Sequence, residues 1–243
     1  MRYILRFLLT STALISTSGL ACTNWQATVE SAQAIGWDYQ LNPQNIVVVT
    51  DPHDPQAQVI KLTITRDSTW PNGHTRTEVK HNGCTTEEGE STFVSWEFYL
   101  DKPITTFNNI AYWETDKTYQ QSMGLSLEPN VDGDENFSSL AFFSNLPKRI
   151  VHWQDAIKVA QWNTIALAIT WSESHQNGQI NLWVNHQPIL TKVAIQTKPD
   201  SNQLFIQLGL HRNQAEQTID SIYLRNVREV ANLSTLLEIE EAL

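Results

Sequence analysis

Gly73-His74-Thr75-Arg76-Thr77-Glu78-Val79-Lys80 alternates ionisable side chains with small or apolar ones. Successive side chains of a strand point to opposite faces, so as a strand this stretch puts His74, Arg76, Glu78 and Lys80 on one face. Four ionisable groups in a row make a working surface, not a core. Leu204-Phe205-Ile206-Gln207-Leu208-Gly209-Leu210-His211-Arg212 has the same design, with Leu204, Ile206, Leu208 and Leu210 on one face and Phe205, Gln207, Gly209 and His211 on the other. Side by side, the two strands would floor a polar, partly cationic groove.

The same period of two recurs along the chain, and helix-period stretches are nearly absent. Gln58 to Thr65 turns Ile60, Leu62 and Ile64 inward, and Thr92 to Leu100 does so with Val94, Trp96, Phe98 and Leu100. Thr164 to Trp171, Gln179 to Asn185 and Asp220 to Val227 repeat the pattern. Turn residues punctuate these runs at Trp70-Pro71-Asn72-Gly73, Asp132-Gly133-Asp134, Gln176-Asn177-Gly178 and Lys198-Pro199-Asp200. Many strands with one apolar and one polar face imply an all-β sandwich of two packed antiparallel sheets. Helical turns are expected only at Asn24 to Gln33 and Ser234 to Leu243.

The first residues read as an export signal: Arg2 and Arg6, an apolar run through Leu8, Leu9, Ala13, Leu14 and Ile15, then Gly19 and Ala21 before Cys22. Cleavage after Ala21 removes residues 1–21 and leaves 22–243, roughly 220 residues that suit a single domain. The apolar run is too short for a membrane span, and the expected location is secreted or periplasmic. Lipid attachment at Cys22 is the weaker reading, since Gly19 stands where Leu is usual. Cys22 and Cys84 are the only cysteines. In an oxidising compartment they are expected to form one disulfide, and a pair excludes a cysteine metal cluster.

A net charge of −10 argues against nucleic acid and anionic membranes as partners. It does not exclude an acidic substrate, because charge is screened within about 10 Å and His74, Arg76, Lys80, His81, His211 and Arg212 concentrate positive potential locally. Nine tryptophans supply candidate sugar platforms, Trp113 and Trp183 among them, with core packing as the plainer alternative.

Arg76-Thr77-Glu78-Val79 resembles the Arg-(Ser/Thr)-Glu-(Leu/Val) strand of the jelly-roll polysaccharide lyases: alginate lyases, heparin lyase I relatives and glucuronan lyases. Ser95 to Leu100, the Trp162 to Asn185 hairpin and Phe205 to Arg212 are similar to their later strands in the same order. His74 and the stretch Trp113-Glu114-Thr115-Asp116-Lys117-Thr118-Tyr119-Gln120-Gln121 look most like the glucuronan lyase branch, polysaccharide lyase family 20. The resemblance covers roughly Ile60 to Val230. It implies a concanavalin A-like β-jelly roll with a concave substrate groove, acting on an acidic polysaccharide, glucuronan-like ahead of alginate, by β-elimination. Two departures bear on chemistry: the late strand of these lyases offers Lys and Tyr where this chain has Gln207 and His211, and their middle Gln-x-His strand is absent, with Tyr119-Gln120-Gln121 the nearest polar substitute.

Such a lyase removes the proton at C5 of a uronate and expels the oxygen at C4. It needs donors that neutralise the neighbouring carboxylate and a base within reach of C5. Arg76 suits the carboxylate because its planar fork makes bidentate bonds, Glu78 would hold the guanidinium, and Gln120 or Gln121 would add a donor. His74 and His211 are the proton-transfer candidates, and Tyr119 is the reserve. Lys80, Gln121, Gln207, Arg212, Glu78 and Trp113 make up the expected substrate-binding set. Gly209 is either a bulge or a gap admitting a sugar ring to the backbone.

No organic cofactor is implied. A structural calcium is compatible with the resemblance, with Asp220 as the candidate ligand, and a monomer is expected. The alternatives are a non-catalytic, lectin-like module on the same scaffold and a glycoside hydrolase. The hydrolase is disfavoured because Glu114 and Asp116 lack a third acid in the pattern of a retaining glucanase.

Overall fold

Residues 25–30, 33–83, 86–213 and 218–230 are described by a computed structural model, and strands account for most of them. In chain order they are β1 (Trp25–Gln26), β2 (Thr28–Glu30), β3 (Gln33–Ile35), β4 (Tyr39–Leu41), β5 (Ile46–Thr50), β6 (Gln58–Ile64), β7 (Thr75–His81), β8 (Ser91–Tyr99) and β9 (Asn108–Thr115). Then follow β10 (Gln121–Pro129), β11 (Phe137–Ser144), β12 (Ile150–Lys158), β13 (Trp162–Thr170), β14 (Gln179–Val184), β15 (Gln187–Ala194), β16 (Leu204–Arg212) and β17 (Asp220–Val230). One sheet runs β15-β14-β13-β8-β17-β6-β5 with β1 added on β17, and the facing sheet runs β12-β11-β10-β9-β16-β7-β4. The expected jelly-roll sandwich is therefore present. No helix among the described residues is long and apolar enough to cross a membrane.

Period-two alternation explains the packing. Ile60, Leu62 and Ile64, Val94, Trp96, Phe98 and Leu100, Ile165, Leu167, Ile169 and Trp171, and Leu204, Ile206, Leu208 and Leu210 all join one core cluster between the sheets. Trp113 belongs to that cluster at 3% exposure. It is a packing residue, and the platform role read for it from sequence is corrected. Trp183 packs against Phe93, Ala168 and Val230 in the other sheet. The helical turn expected at Asn24 to Gln33 is also corrected, since its described residues form β1, β2 and the start of β3. The export signal, the second helical turn and the Cys22–Cys84 pair lie outside the described residues.

β16 lies inside the site sheet, between β9 and β7, and is buried along its whole length, on both faces. β7 pairs with it antiparallel, Arg76 opposite His211, Glu78 opposite Gly209 and Lys80 opposite Gln207. Directly opposed side chains share a face, so the two sequence stretches do converge. Gly209 has φ +143°, and a Cβ there would lie 2.3 Å from the Thr77 carbonyl oxygen. It coincides with a register shift against β9 between Leu208 and His211. The missing side chain thus lets the β7 backbone approach at a bulge, which settles the choice between the two readings of this glycine.

Candidate active site

Arg76 rises from β7 on the face turned away from the core, and three partners fix its guanidinium. Nε donates to Glu78 Oε2 at 2.6 Å, and Nη2 donates to the Tyr112 hydroxyl at 2.7 Å and to Gln207 Oε1 at 3.0 Å. Nη1 has no partner among the described residues, and Arg76 lines a cavity of about 600 Å³. Burial works against the Arg76 charge, but Glu78 and Tyr112 outweigh it and its pKa is raised. Glu78 is almost fully buried. It holds Arg76 from below, and its expected contact with substrate is corrected to this positioning role. Burial lifts the Tyr112 phenol well above its ordinary range, with the Glu78 charge adding to the effect.

His74 precedes β7, in a turn closed by the Trp70 amide donating to the His74 carbonyl at 2.7 Å. Its ring nevertheless meets the strand face as expected, with Nδ1 2.8 Å from His211 Nε2. Both imidazoles are held neutral. Burial, then the Arg76 charge and His74, depress His211 to about 3, and burial followed by Arg76 lowers His74. Of the two, His74 is the more exposed, while His211 is 2% exposed. His211 Nδ1 and the Oδ1 of Asn109, its cross-strand neighbour on β9, are both buried without a hydrogen-bond partner.

Glu114, on β9, accepts from Gln207 Nε2 at 2.9 Å and lines the same cavity. Burial is the largest influence on its carboxyl and raises it from 4.5 to about 7, against the pull of Arg76. A group poised near neutrality inside a cleft is suited to proton traffic. Lys80 and Gln207 also line the cavity, Lys80 with Nζ 3.7 Å from the Phe205 ring centroid. Tyr119, 67% exposed and with φ 54°, reaches the cavity from the β9–β10 turn. Gln121 is opposed to Glu114 and half-buried, whereas Gln120 is exposed on the turn, anchored by its amide to Thr115 Oγ1.

Arg212 is a correction. It points to the core side of β16 and forms a buried ion pair with Asp220, with further bonds to Asn108 and Thr218. The Asp220 carboxylate also accepts from Thr105. Asp220 therefore faces a cation of the protein itself, and among the described residues no group of three or more His, Cys, Asp or Glu is arranged to hold a metal ion.

Tyr112, Glu114 and Asn109 were not read as site residues. Asn108 to Thr115 does carry a usable signal, because Tyr112 and Glu114 alternate with Ala111 and Trp113. The apolar character of Tyr112 and the competing hydrolase reading of Glu114 hid it.

The fold is shared with known enzymes. An endo-β-1,4-glucuronan lyase from the fungus Trichoderma reesei superposes with a TM-score of 0.65 at 16% identity, covering 87% of this chain and 96% of its own. An alginate lyase of polysaccharide lyase family 7 gives 0.56 at 10% identity, covering 86% and 96%. The catalytic domain of a glycoside hydrolase family 131 protein from Coprinopsis cinerea gives 0.54 at 11% identity, covering 81% and 83%. Such low identities speak for the fold alone, and one scaffold carries both lyases and a hydrolase. No curated protein matches the sequence. The family model described as "Polysaccharide lyase" matches residues 21–228, nearly the whole described chain. With that match across the sheet that carries Arg76 and its partners, the chain belongs to the polysaccharide lyase family and is a polysaccharide lyase.

Proposed function

We propose that this lyase is exported after loss of residues 1–21, acts as a single domain over 22–243, and cleaves a polyuronic acid by β-elimination, with glucuronan-like polymers preferred to alginate. The observation that carries the reading is the pre-fixed Arg76 guanidinium, which lines an open cavity and whose charge bears on a neutral imidazole pair, His74 and His211, that is not itself part of the cavity lining. Glu78 already offsets much of the Arg76 charge, so Lys80 supplies the additional positive charge facing a uronate carboxylate. The protonated fraction of Glu114 adds a donor to that carboxylate or to the dienolate that develops from it.

His74 is the imidazole that can reach substrate. In the tautomer where its Nδ1–H donates to His211 Nε2, the outward Nε2 carries a lone pair and takes the C5 proton. The C5–H electron pair becomes the C4–C5 double bond, the C4–O4 bond breaks, and Tyr119 delivers a proton to the departing O4. His211 acts through His74 as a positioning residue, paired across the strands with Asn109.

The test is to mix the purified protein with glucuronan, alginate and heparin and follow the ultraviolet absorbance of the unsaturated product. Glucuronan is expected to react fastest, and His74→Ala to abolish the signal. Absence of unsaturated product from every polyuronate would refute the reading. Full activity in both His74→Ala and His211→Ala would refute the role assignment.

A further inference from the structure

We propose that Arg149 forms a second carboxylate-binding site in the groove, holding a uronate residue other than the one at Arg76, so that the enzyme grips two acidic sugars of one chain. The proposal rests on the polyuronate reading above. It starts from an unusual cation. Arg149, at the end of the β11–β12 connection, lays its guanidinium 3.5 Å from the centroid of the Phe143 ring and donates from Nη2 to Ser126 Oγ at 3.1 Å. It has no salt-bridge partner among the described residues, and Glu128, further along β10, is the only carboxylate that influences its charge. An arginine stacked on a ring keeps its edge donors free for a planar anion.

The place of this cation in the sheet gives it a role. Phe143 is fully buried and opposes Gly124 on β10, which in turn opposes Tyr112 on β9. A Cβ on Gly124 would come within 2.9 Å of both Phe143 Cζ and Tyr112 Cβ. The Phe143 ring therefore reaches across the bare glycine to the base of Tyr112, whose hydroxyl accepts from Arg76. Arg76 and Arg149 are thereby linked through Tyr112 and Phe143, which flank that glycine on neighbouring strands. Ser126, which accepts from Arg149, continues the cross-strand row formed by Arg76, His211 and Asn109. That row spans three strand spacings, about 14 Å. A polymer lying across the strands would thus meet Arg76 at one sugar and Arg149 at another, and a carboxylate on every residue satisfies both.

Steady-state kinetics on polyglucuronate, with calorimetric binding measured alongside, test the proposal in wild type, Arg149→Ala and Arg149→Lys. Loss of one charge-assisted contact predicts a KM about ten-fold higher in Arg149→Ala, with kcat within about two-fold of wild type. Arg149→Lys should recover part of the loss, and added salt should shrink the difference between variants. Matching thermal midpoints establish that the variants are folded, and Arg149→Lys carries the test if Arg149→Ala is not. Unchanged KM and affinity in the variants of an active enzyme overturn this inference alone. A wild type that neither cleaves nor binds polyuronates overturns it together with the proposed function.

Discussion

Replacing Glu114 by Gln removes the carboxyl that the cavity wall holds near neutrality while keeping an acceptor for Gln207. The native carboxyl titrates at about 7 against an ordinary 4.5, so the folded protein binds this proton more tightly than the unfolded chain. Each pH unit of displacement is worth about 1.4 kcal/mol, which sets a ceiling of about 3 kcal/mol. Glu114 is only partly buried, and screening by solvent brings the expected effect to about 1–2 kcal/mol. Because the folded pKa is raised, this stability is fully present below pH 4.5 and is lost as pH rises through about 7. Glu114→Gln lacks the proton and therefore the loss. Thermal unfolding of both proteins from about pH 4 to about pH 8 should show the variant gaining on wild type by about 3–6 °C across that window. Two pH profiles that stay parallel would mean that the carboxyl is not strained by burial, and the reasoning about its environment would fall.

Three further outcomes follow from the packing. Gly209→Ala should cost about 2–3 kcal/mol in urea unfolding, since its Cβ would strike the Thr77 carbonyl at 2.3 Å in a backbone conformation that disfavours side chains; an unchanged midpoint would contradict the bulge geometry. Asp220→Asn should destabilise by about 3–5 kcal/mol by leaving Arg212 buried without its counter-charge, yet specific activity of the folded fraction should persist. Trp113→Leu should lower stability by about 2–4 kcal/mol through lost core volume while leaving KM for polyglucuronate unchanged, whereas a sugar platform would show the reverse.

The fold was legible wherever a strand keeps one polar face toward solvent. Gln58 to Ile64, Ser91 to Tyr99 and Gln179 to Val184 alternate cleanly, and their inward residues are those that fill the core. β9 to β11 were harder, because their outward faces are covered as well, and Tyr112, Gly124 and Phe143 carry no polar signal to mark the alternation. Within the site, Arg76, Lys80, Gln207 and His211 follow from strand parity alone. Parity also puts Arg212 on the core side, against the substrate-binding role expected of it, and only a long-range partner, Asp220, makes burial of its charge tolerable. Glu114 was visible as an acid, but its unusual proton affinity comes first from burial in the folded sheet, with the Glu78 charge on β7 adding to it, and no local window contains either.

The antiparallel pairing of β7 with β16 joins folding fidelity to chemistry. A slip of one residue in β16 would swap its two faces, sending Gln207 and His211 into the oily interior and exposing Leu208 and Leu210 along the substrate path. The same leucines that make such a mistake costly therefore act as proofreaders of the working surface. A chain that has folded into this sheet has, by that fact, aligned its imidazole with its guanidinium.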